Sequence, residues 1–528
     1  MNNLKQDIKK CIDNFKLKYG DSERNAKQSI AAENLFNVKN NQNSDNDICV
    51  LQGPAGCGKT KISLEWALNS DANKIIWVCP RVQVCMSIFM ELSSSDYLNY
   101  SKIEIFTGDD KRIFESGEIH ETQEDEKFSG DIVITTIDQI VNKITTHRDV
   151  DSLVEFMESH VIFDEFHELI NVNPHNILFM ELIESKKRLG RNSNTLLLSA
   201  TPNYLFCKKF LDIDDRNIIK VETFNQSKYK INIIEYDDDK INPMITSTIE
   251  GNSIVIFNTA TDSQFSFIKN MKKENSILFH SKFSLKDRID IFNKTYSSFK
   301  KNGSREFEVL RSGPLVEASL NITCDKMYTQ IHSAEHILQR IGRLDRFGEN
   351  NFINEMNIYI PLSLTENKQK TGDAKFLNSL NEKNSAYAFY KFLKLKSIDG
   401  KEIYLKDLYQ IYEGLYNDSA SIELIKKDII NSLNKSIDKA DELLDSPIGF
   451  PIKNKKQNKS KKISKKSLRG ENYFINMSVR ICDENFNLTD SGKYCVPLPE
   501  YCDDFYEEEE FNMDCLTGNP NDDEINQM

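Results

Sequence analysis

A chain of 528 residues that is 39% hydrophobic and 28% charged has room for two or three domains with cores of their own, and is neither fibrous nor disordered. Its formal net charge of −13 excludes a generally basic nucleic-acid coat protein, but not a positive groove confined to one face. No run of about 18 uncharged apolar residues offers a membrane span, and the eleven cysteines, with no CxxC pair and no export signal, read as reduced thiols of a cytoplasmic protein.

Residues 1–46 form an N-terminal helical segment. Over 1–19, Leu4, Ile8, Ile12 and Phe15 recur at helical spacing among lysines and aspartates, unlike the apolar centre of a signal peptide. From 47 to 361 short apolar runs alternate with longer amphipathic stretches. The runs are 48–52, 75–79, 103–107, 132–135, 161–163 and 196–198, then 254–257, 277–279, 307–310 and 358–360. That alternation predicts an α/β protein with parallel sheets flanked by helices. The span divides into two lobes, 47–225 and 226–361, with the boundary near 223–230. The polar stretch 109–131 reads as a surface excursion. Residues 362–450 turn mainly helical, 451–470 is a basic linker, and 471–528 ends in an acidic tail. In that tail Phe505, Tyr506 and Phe511 interleave with acids, which suits either a solubilising segment or a competitor for a positive strand groove. Cys482, Cys495, Cys502 and Cys515 have the number of a zinc site but not its paired spacing, and read as ordinary thiols.

The strongest local signal is Gly53, Pro54, Ala55, Gly56, Cys57, Gly58, Lys59 and Thr60, set between an apolar strand and a helix. A polyphosphate needs inward-turned backbone amides, hence glycines. It needs a point charge, Lys59, and a magnesium ligand, the Thr60 hydroxyl, at a helix N-terminus whose dipole favours anions. A second strand, 161–163, ends in Asp164 and Glu165, followed by Phe166 and His167. Asp164 suits magnesium and Glu165 suits the activation of water. Alone, such a pair is a solvated strand end; after a phosphate loop it is the second carboxylate site of an ATPase. The third element runs from Gln339 to Arg346. Helical spacing places Arg343 and Arg346 on one face, as an ordinary basic helix or as an arginine finger from another lobe.

Taken in order, Gly53 to Thr60, Pro80-Arg81, Thr107-Gly108, 135–139, 164–167, 199–202 and 339–346 resemble the motifs of superfamily 2 DExH helicases over roughly 28–348. Residues 135–139, His280 to Phe283 with Asp287-Arg288, and 318–320 resemble most the helicase core of the CRISPR-associated helicase–nucleases of type I systems. The resemblance implies two tandem RecA-like lobes with ATP and Mg2+ in the cleft between them, and a mainly helical accessory region behind. It implies that Gln28 reads adenine and that Gly313 belongs to a loop, 313–319, meeting nucleotide and strand. It places Pro80, Arg81, Thr107, Gly108, Thr136, His280, Ser281 and Ser319 along the nucleic-acid path, where phosphate contacts hold a strand without reading its sequence. His167, Ser199 and Thr201 would couple the lobes, and Gln339 joins Lys59, Asp164, Glu165, Arg343 and Arg346 in hydrolysis. The implied activity is 3′-to-5′ translocation on single-stranded DNA, with RNA as the rival substrate and a nucleic-acid-gated switch as the rival class. Two departures stand out. Asn321 replaces the family's aspartate after Ser319-Leu320, and the eight histidines include no His-Asp dipeptide, so no nuclease is expected in this chain and a separate nuclease or effector complex is the expected partner.

Overall fold

Each apolar run falls on a sheet strand in the computed structural model, which describes residues 3–20, 22–40, 48–108, 110–122, 128–146, 150–188, 194–283, 285–317, 320–365, 372–444, 474–482 and 488–497. The first sheet holds β1 (Cys49–Gln52), β2 (Ile75–Cys79), β3 (Ile103–Phe106), β4 (Lys111–Glu115), β5 (Glu118–Glu121), β6 (Ile132–Thr136), β7 (His160–Phe163), β8 (Thr195–Ser199) and β9 (Ile218–Lys220). Their order is β5-β4-β3-β6-β2-β7-β8-β1-β9, parallel from β3 to β9. The second sheet holds β10 (Lys228–Tyr236), β11 (Ser253–Ile256), β12 (Ser276–Phe279), β13 (Val309–Ser312), β14 (Lys326–Gln330), β15 (Asn354–Pro361) and β16 (Glu402–Tyr404), in the order β12-β13-β11-β14-β15-β10-β16. The central strands of the first sheet are buried at every position, as expected where helices cover both faces. Two tandem RecA-like sheets with a helical region after them is the architecture expected.

Two local readings need correction. The stretch 109–131 is not simply an excursion. Its β4 and β5 run antiparallel onto the edge at β3, with Ile113 and Phe114 buried while β5 is exposed throughout. The edge strand has no apolar face to announce it. Strand β14 was missed because its inward positions include Thr329 and Gln330, buried polar residues that serve a hydrogen-bond network rather than an apolar core. The region after 361 is mainly helical as expected, and its short β16 returns to the second sheet to pair antiparallel with β10.

The N-terminal helices Asn3–Tyr19 and Glu23–Asn40 are sewn to the first lobe. Leu4, Ile8, Ala32 and Leu35 share a core with Ile62 and Trp66 of the helix Lys59–Asn69. Asp7, itself buried, accepts the Tyr100 amide at 2.9 Å and the Ser101 amide and hydroxyl at 2.8 Å, so its charge is balanced by donors from a turn far along the chain. Of the helices Lys383–Leu395, Leu405–Leu415 and Ser419–Leu444, the first two reach the second lobe, where Tyr390 donates to Glu235 at 2.7 Å and Tyr412 to Glu335 at 3.3 Å, and the last two reach the first. Tyr412 donates to the Pro202 carbonyl at 2.9 Å and Asn176 donates to the Ser432 hydroxyl at 2.9 Å. Residues 472–528 are a separate unit, whose described part is the antiparallel pair β17 (Phe474–Cys482) and β18 (Leu488–Pro497). The basic run 453–469 and the acidic tail 502–528 lie outside the described residues, as do Ser319, Cys502 and Cys515. Among the described residues no helix is long and apolar enough to cross a membrane.

Candidate active site

The loop after β1 turns back on itself at Gly56 (φ 77°) and Gly58 (φ 90°), left-handed positions that L side chains rarely adopt. At Gly53 a Cβ would lie 2.5 Å from the Cys57 sulfur, so a side chain there would burst the loop. The Gly53 amide donates to the Ser199 carbonyl at 3.0 Å, tying the loop to the end of β8. Gln28 is buried and donates to the Cys57 carbonyl at 2.8 Å, and its amide packs on Gly58 so closely that no Cβ fits there. It therefore supports the phosphate loop directly, whatever its other side presents to a base. Cys57 is buried, and burial pushes its thiol up to about 11, which leaves it inert. Lys59 forms an ion pair with Glu165, and the Thr60 hydroxyl donates to Glu91 at 3.2 Å.

Asp164 and Glu165 leave β7 at the same sheet end. Asp164 takes the Trp77 indole N–H at 3.4 Å and the Glu165 amide at 3.0 Å. Burial raises its carboxyl to about 6, against the pull of Lys59. Glu165 sits at φ 44°, a strained conformation for a residue with a side chain, which aims it into the cleft. Burial opposes its charge, yet Lys59 holds it below the ordinary carboxylate range. Its Oε2 has no hydrogen-bond partner. His167 is buried and kept neutral by burial. Its Nδ1 meets the Ser199 hydroxyl at 2.8 Å, its Nε2 meets Gln339 of the second lobe, and the Ser199 hydroxyl accepts the Thr201 amide at 2.9 Å. Ser199 and His167 thus link the first lobe's carboxylates to the second lobe. The buried Thr201 hydroxyl has no partner.

The expectation that Arg343 and Arg346 share a helical face fails. The helix Ala334–Ile341 stops before them, because Leu344 bridges to Cys324 and Asp345 turns left-handed at φ 42°. Arg343 points back into its own lobe, donating to the Glu317 carbonyl at 2.7 Å and the Val316 carbonyl at 3.2 Å, and is 5% exposed. Arg346 points to the cleft. Burial lowers its guanidinium to about 10, and the charges of Glu165 and Glu91 in the first lobe oppose that. It is held by Asn321, which accepts at 2.7 Å. Gly342 packs against Ala55 of the phosphate loop, where a Cβ would stand 3.3 Å from the Ala55 methyl, so the two motifs are in contact.

The residues expected along a strand are scattered in exposure. Gly108 and Ser281 are exposed, whereas Pro80, Thr107 and Thr136 are buried. The Thr107 hydroxyl is spent in its own turn, accepting the Asp110 amide at 2.9 Å. Arg81 is paired with Glu168 at 2.7 Å, whose charge raises the guanidinium further. His280 is 2% exposed and stacked on Phe283. Its nitrogens meet the Lys282 amide at 3.1 Å and Gln264 at 3.0 Å, and burial lowers it to about 4. It is a neutral packing residue here, closed off from the surface. Gly313 follows β13 and backs onto Ala260 and His280. Sequence reasoning missed Glu91, which joins Thr60, Tyr97 and the field of Arg346, and Trp77, which steadies Asp164. No local pattern marks either one.

Two family profiles match the chain: the DEAD/DEAH box helicase over residues 25–210 and the C-terminal part of the CRISPR-associated nuclease/helicase Cas3 over 250–349. A CRISPR-associated Cas3 nuclease/helicase of Methanocaldococcus jannaschii is 28% identical over 355 residues, covering 60% of this chain and 48% of the relative. The CRISPR-associated endonuclease/helicase Cas3 of Escherichia coli K12 is 24% identical, covering 57% of this chain and 40% of the relative. The chain thus spans about half the length, or less, of the curated relatives it matches. The crystal structure of T. fusca Cas3 superposes with a TM-score of 0.60 at 14% identity, covering 79% of this chain and 55% of that one.

Proposed function

We propose that this chain, which resembles the DEAD/DEAH-box helicases and the helicase part of Cas3, works as an ATP-driven translocase on single-stranded DNA, moving 3′ to 5′. One observation carries the reading: Lys59 and Glu165 of the first lobe are ion-paired at the sheet end, and Arg346 of the second lobe stands close enough to feel Glu165. A polyphosphate entering the glycine loop draws Lys59 away from Glu165, freeing a carboxylate whose second oxygen is already without a partner to take a proton from water. Thr60 and Asp164 offer the oxygen donors that magnesium prefers, and the ion when bound neutralises phosphate charge. Arg346 then meets the charge that develops, and His167 with Ser199 and Gln339 carries lobe closure to the strand surfaces. Gln28 and Gly313 line the nucleotide, while Gly108 and Ser281, the exposed residues of the expected path, contact the strand together with a repositioned Arg81.

In this reading residues 47–225 and 226–361 are the moving lobes, 1–46 belongs with the first, and 362–450 spans both. A separate nuclease or effector complex is the proposed partner. That proposal rests on a fold similarity to a chain of a CRISPR RNA-guided surveillance complex, TM-score 0.53. The test is ATPase activity and strand displacement against matched single-stranded DNA, RNA and tailed duplexes of either polarity. DNA-stimulated hydrolysis with displacement from 3′-tailed duplexes is the expected result. Stimulation by RNA alone replaces the substrate, and hydrolysis indifferent to any nucleic acid overturns the motor.

A further inference from the structure

Behind the arginine-bearing helix lies a cluster that hydrolysis does not use. His332 precedes the helix Ala334–Ile341 and His336 is one turn on, so the two imidazoles share a face and their rings are 4.0 Å apart. Glu382, the residue before the helix Lys383–Leu395, faces both. One ligand atom from each of the three lies within 4.8 Å of the others. His332 and Glu382 are 3% and 6% exposed, deep enough that each polar atom must be accounted for.

One carboxylate oxygen is left over in that account. His332 Nδ1 accepts the Ser333 amide at 3.0 Å, which takes up its lone pair, yet Glu382 Oε2 stands 2.7 Å away. That oxygen is buried and accepts no hydrogen bond. Two acceptors at this distance need either a proton or a metal cation between them. Glu382 Oε1 is already served by Asn171, which donates at 3.2 Å. On the other side, His336 Nδ1 is held by Glu317 at 2.7 Å, leaving Nε2 turned to Glu382 at 3.4 Å. A carboxylate on one imidazole nitrogen fixes the ring and makes the other nitrogen a better ligand, which is the usual support for a metal-bound histidine. Glu317 is in turn steadied by Arg340, which donates to it at 2.7 Å.

We propose that His332, His336 and Glu382 hold a divalent transition-metal ion of the zinc class, with one coordination position left open. Two imidazoles and one carboxylate suit zinc better than magnesium, which prefers oxygen alone. The ion would join the helix that carries Gln339 to the accessory helices. The proposal is independent of the substrate assigned above.

The test is a Zn2+ titration of the full chain, stripped with chelator and held in excess ATP and Mg2+. One equivalent should bind and raise the melting temperature. His332→Asn and Glu382→Gln should each weaken binding by about tenfold or more, while Asp164→Asn leaves it unchanged. Should either variant misfold, Co2+ on the unmodified chain gives the second readout. Visible absorption of a low-coordinate nitrogen and oxygen site, without sulfur charge transfer, is expected. No saturable Zn2+ binding, binding that survives both substitutions, or a cobalt spectrum dominated by thiolate overturns the site. In the first of these outcomes a proton, and not a metal, is what His332 and Glu382 share.

Discussion

The two lobes share a fold and differ in where they spend charge. The first lobe brings Lys59, Asp164, Glu165 and His167 to the ends of neighbouring strands, where they answer mostly to each other and to the cleft. The second lobe turns its charge inward. Arg311 and Glu274 are wholly buried and paired at 2.6 Å, Arg340 is wholly buried against Glu317, and Arg343 is spent on backbone carbonyls. Of the arginines in the stretch 339–346, Arg346 alone is directed at the other lobe. In the proposed function one lobe is then a chemical site and the other a stiff frame delivering one cation, and the difference teaches that an arginine's place in a motif does not say which of these it serves.

The largest effect should come from separating these roles. Arg346→Ala is expected to lower ATP turnover by about 10³-fold with little change in melting temperature, since it removes charge stabilisation and no core contact. Arg340→Ala should instead cost about 3–5 kcal/mol of stability, because Glu317 is left buried without its partner. Turnover and denaturant melts on both proteins decide the matter, and an Arg346→Ala protein that hydrolyses ATP normally ends the comparison. Next in size, Glu165→Gln should reduce turnover by about 10²-fold with ATP affinity nearly intact, whereas Lys59→Ala weakens ATP binding itself. Equilibrium nucleotide binding measured beside single-turnover hydrolysis separates the two.

A smaller effect should follow from Asn321→Asp. The neutral Asn321 amide holds Arg346 without ionic attraction. A carboxylate there should hold the guanidinium back from the cleft by up to about 1 kcal/mol, for a few-fold slower turnover at low salt that recovers as salt is added. Unchanged kinetics at every salt concentration would show that Arg346 is not limited by its tether. The smallest lies in the frame. Burial raises Asp373 to about 7, with Asp262 and Asp238 adding to the shift while Tyr236 and Gln330 donate to it. Below the ordinary carboxylate pKa of 3.8 folded and unfolded chains both hold that proton, and folding loses nothing. As pH climbs to about 7 the unfolded chain releases it and the folded chain keeps it, so stability falls. Asp373→Asn should flatten that decline in melts taken from pH 5 to pH 8; a parallel decline in the variant assigns it elsewhere.

What the amino-acid order determined was whatever depends on near neighbours. The glycines at 56 and 58 declare a left-handed loop, the apolar run before Asp164 declares a strand end, and alternation of strand and helix periods declares parallel sheets, because backbone conformation is governed mostly by adjacent side chains. The tertiary structure decided what each polar side chain faces. Arg343 and Arg346 look alike in a string, yet a bridge from Cys324 to Leu344, twenty residues apart, ends the helix and sends them opposite ways. His280 becomes packing because Gln264 and Phe283 close over it, and Thr107 is consumed by its own turn. Glu91 and Trp77 enter the site, and Glu382 reaches two histidines, only because distant segments meet. A hydrogen bond or an ion pair is a property of two positions in space, and one strand of sequence records only the first of them.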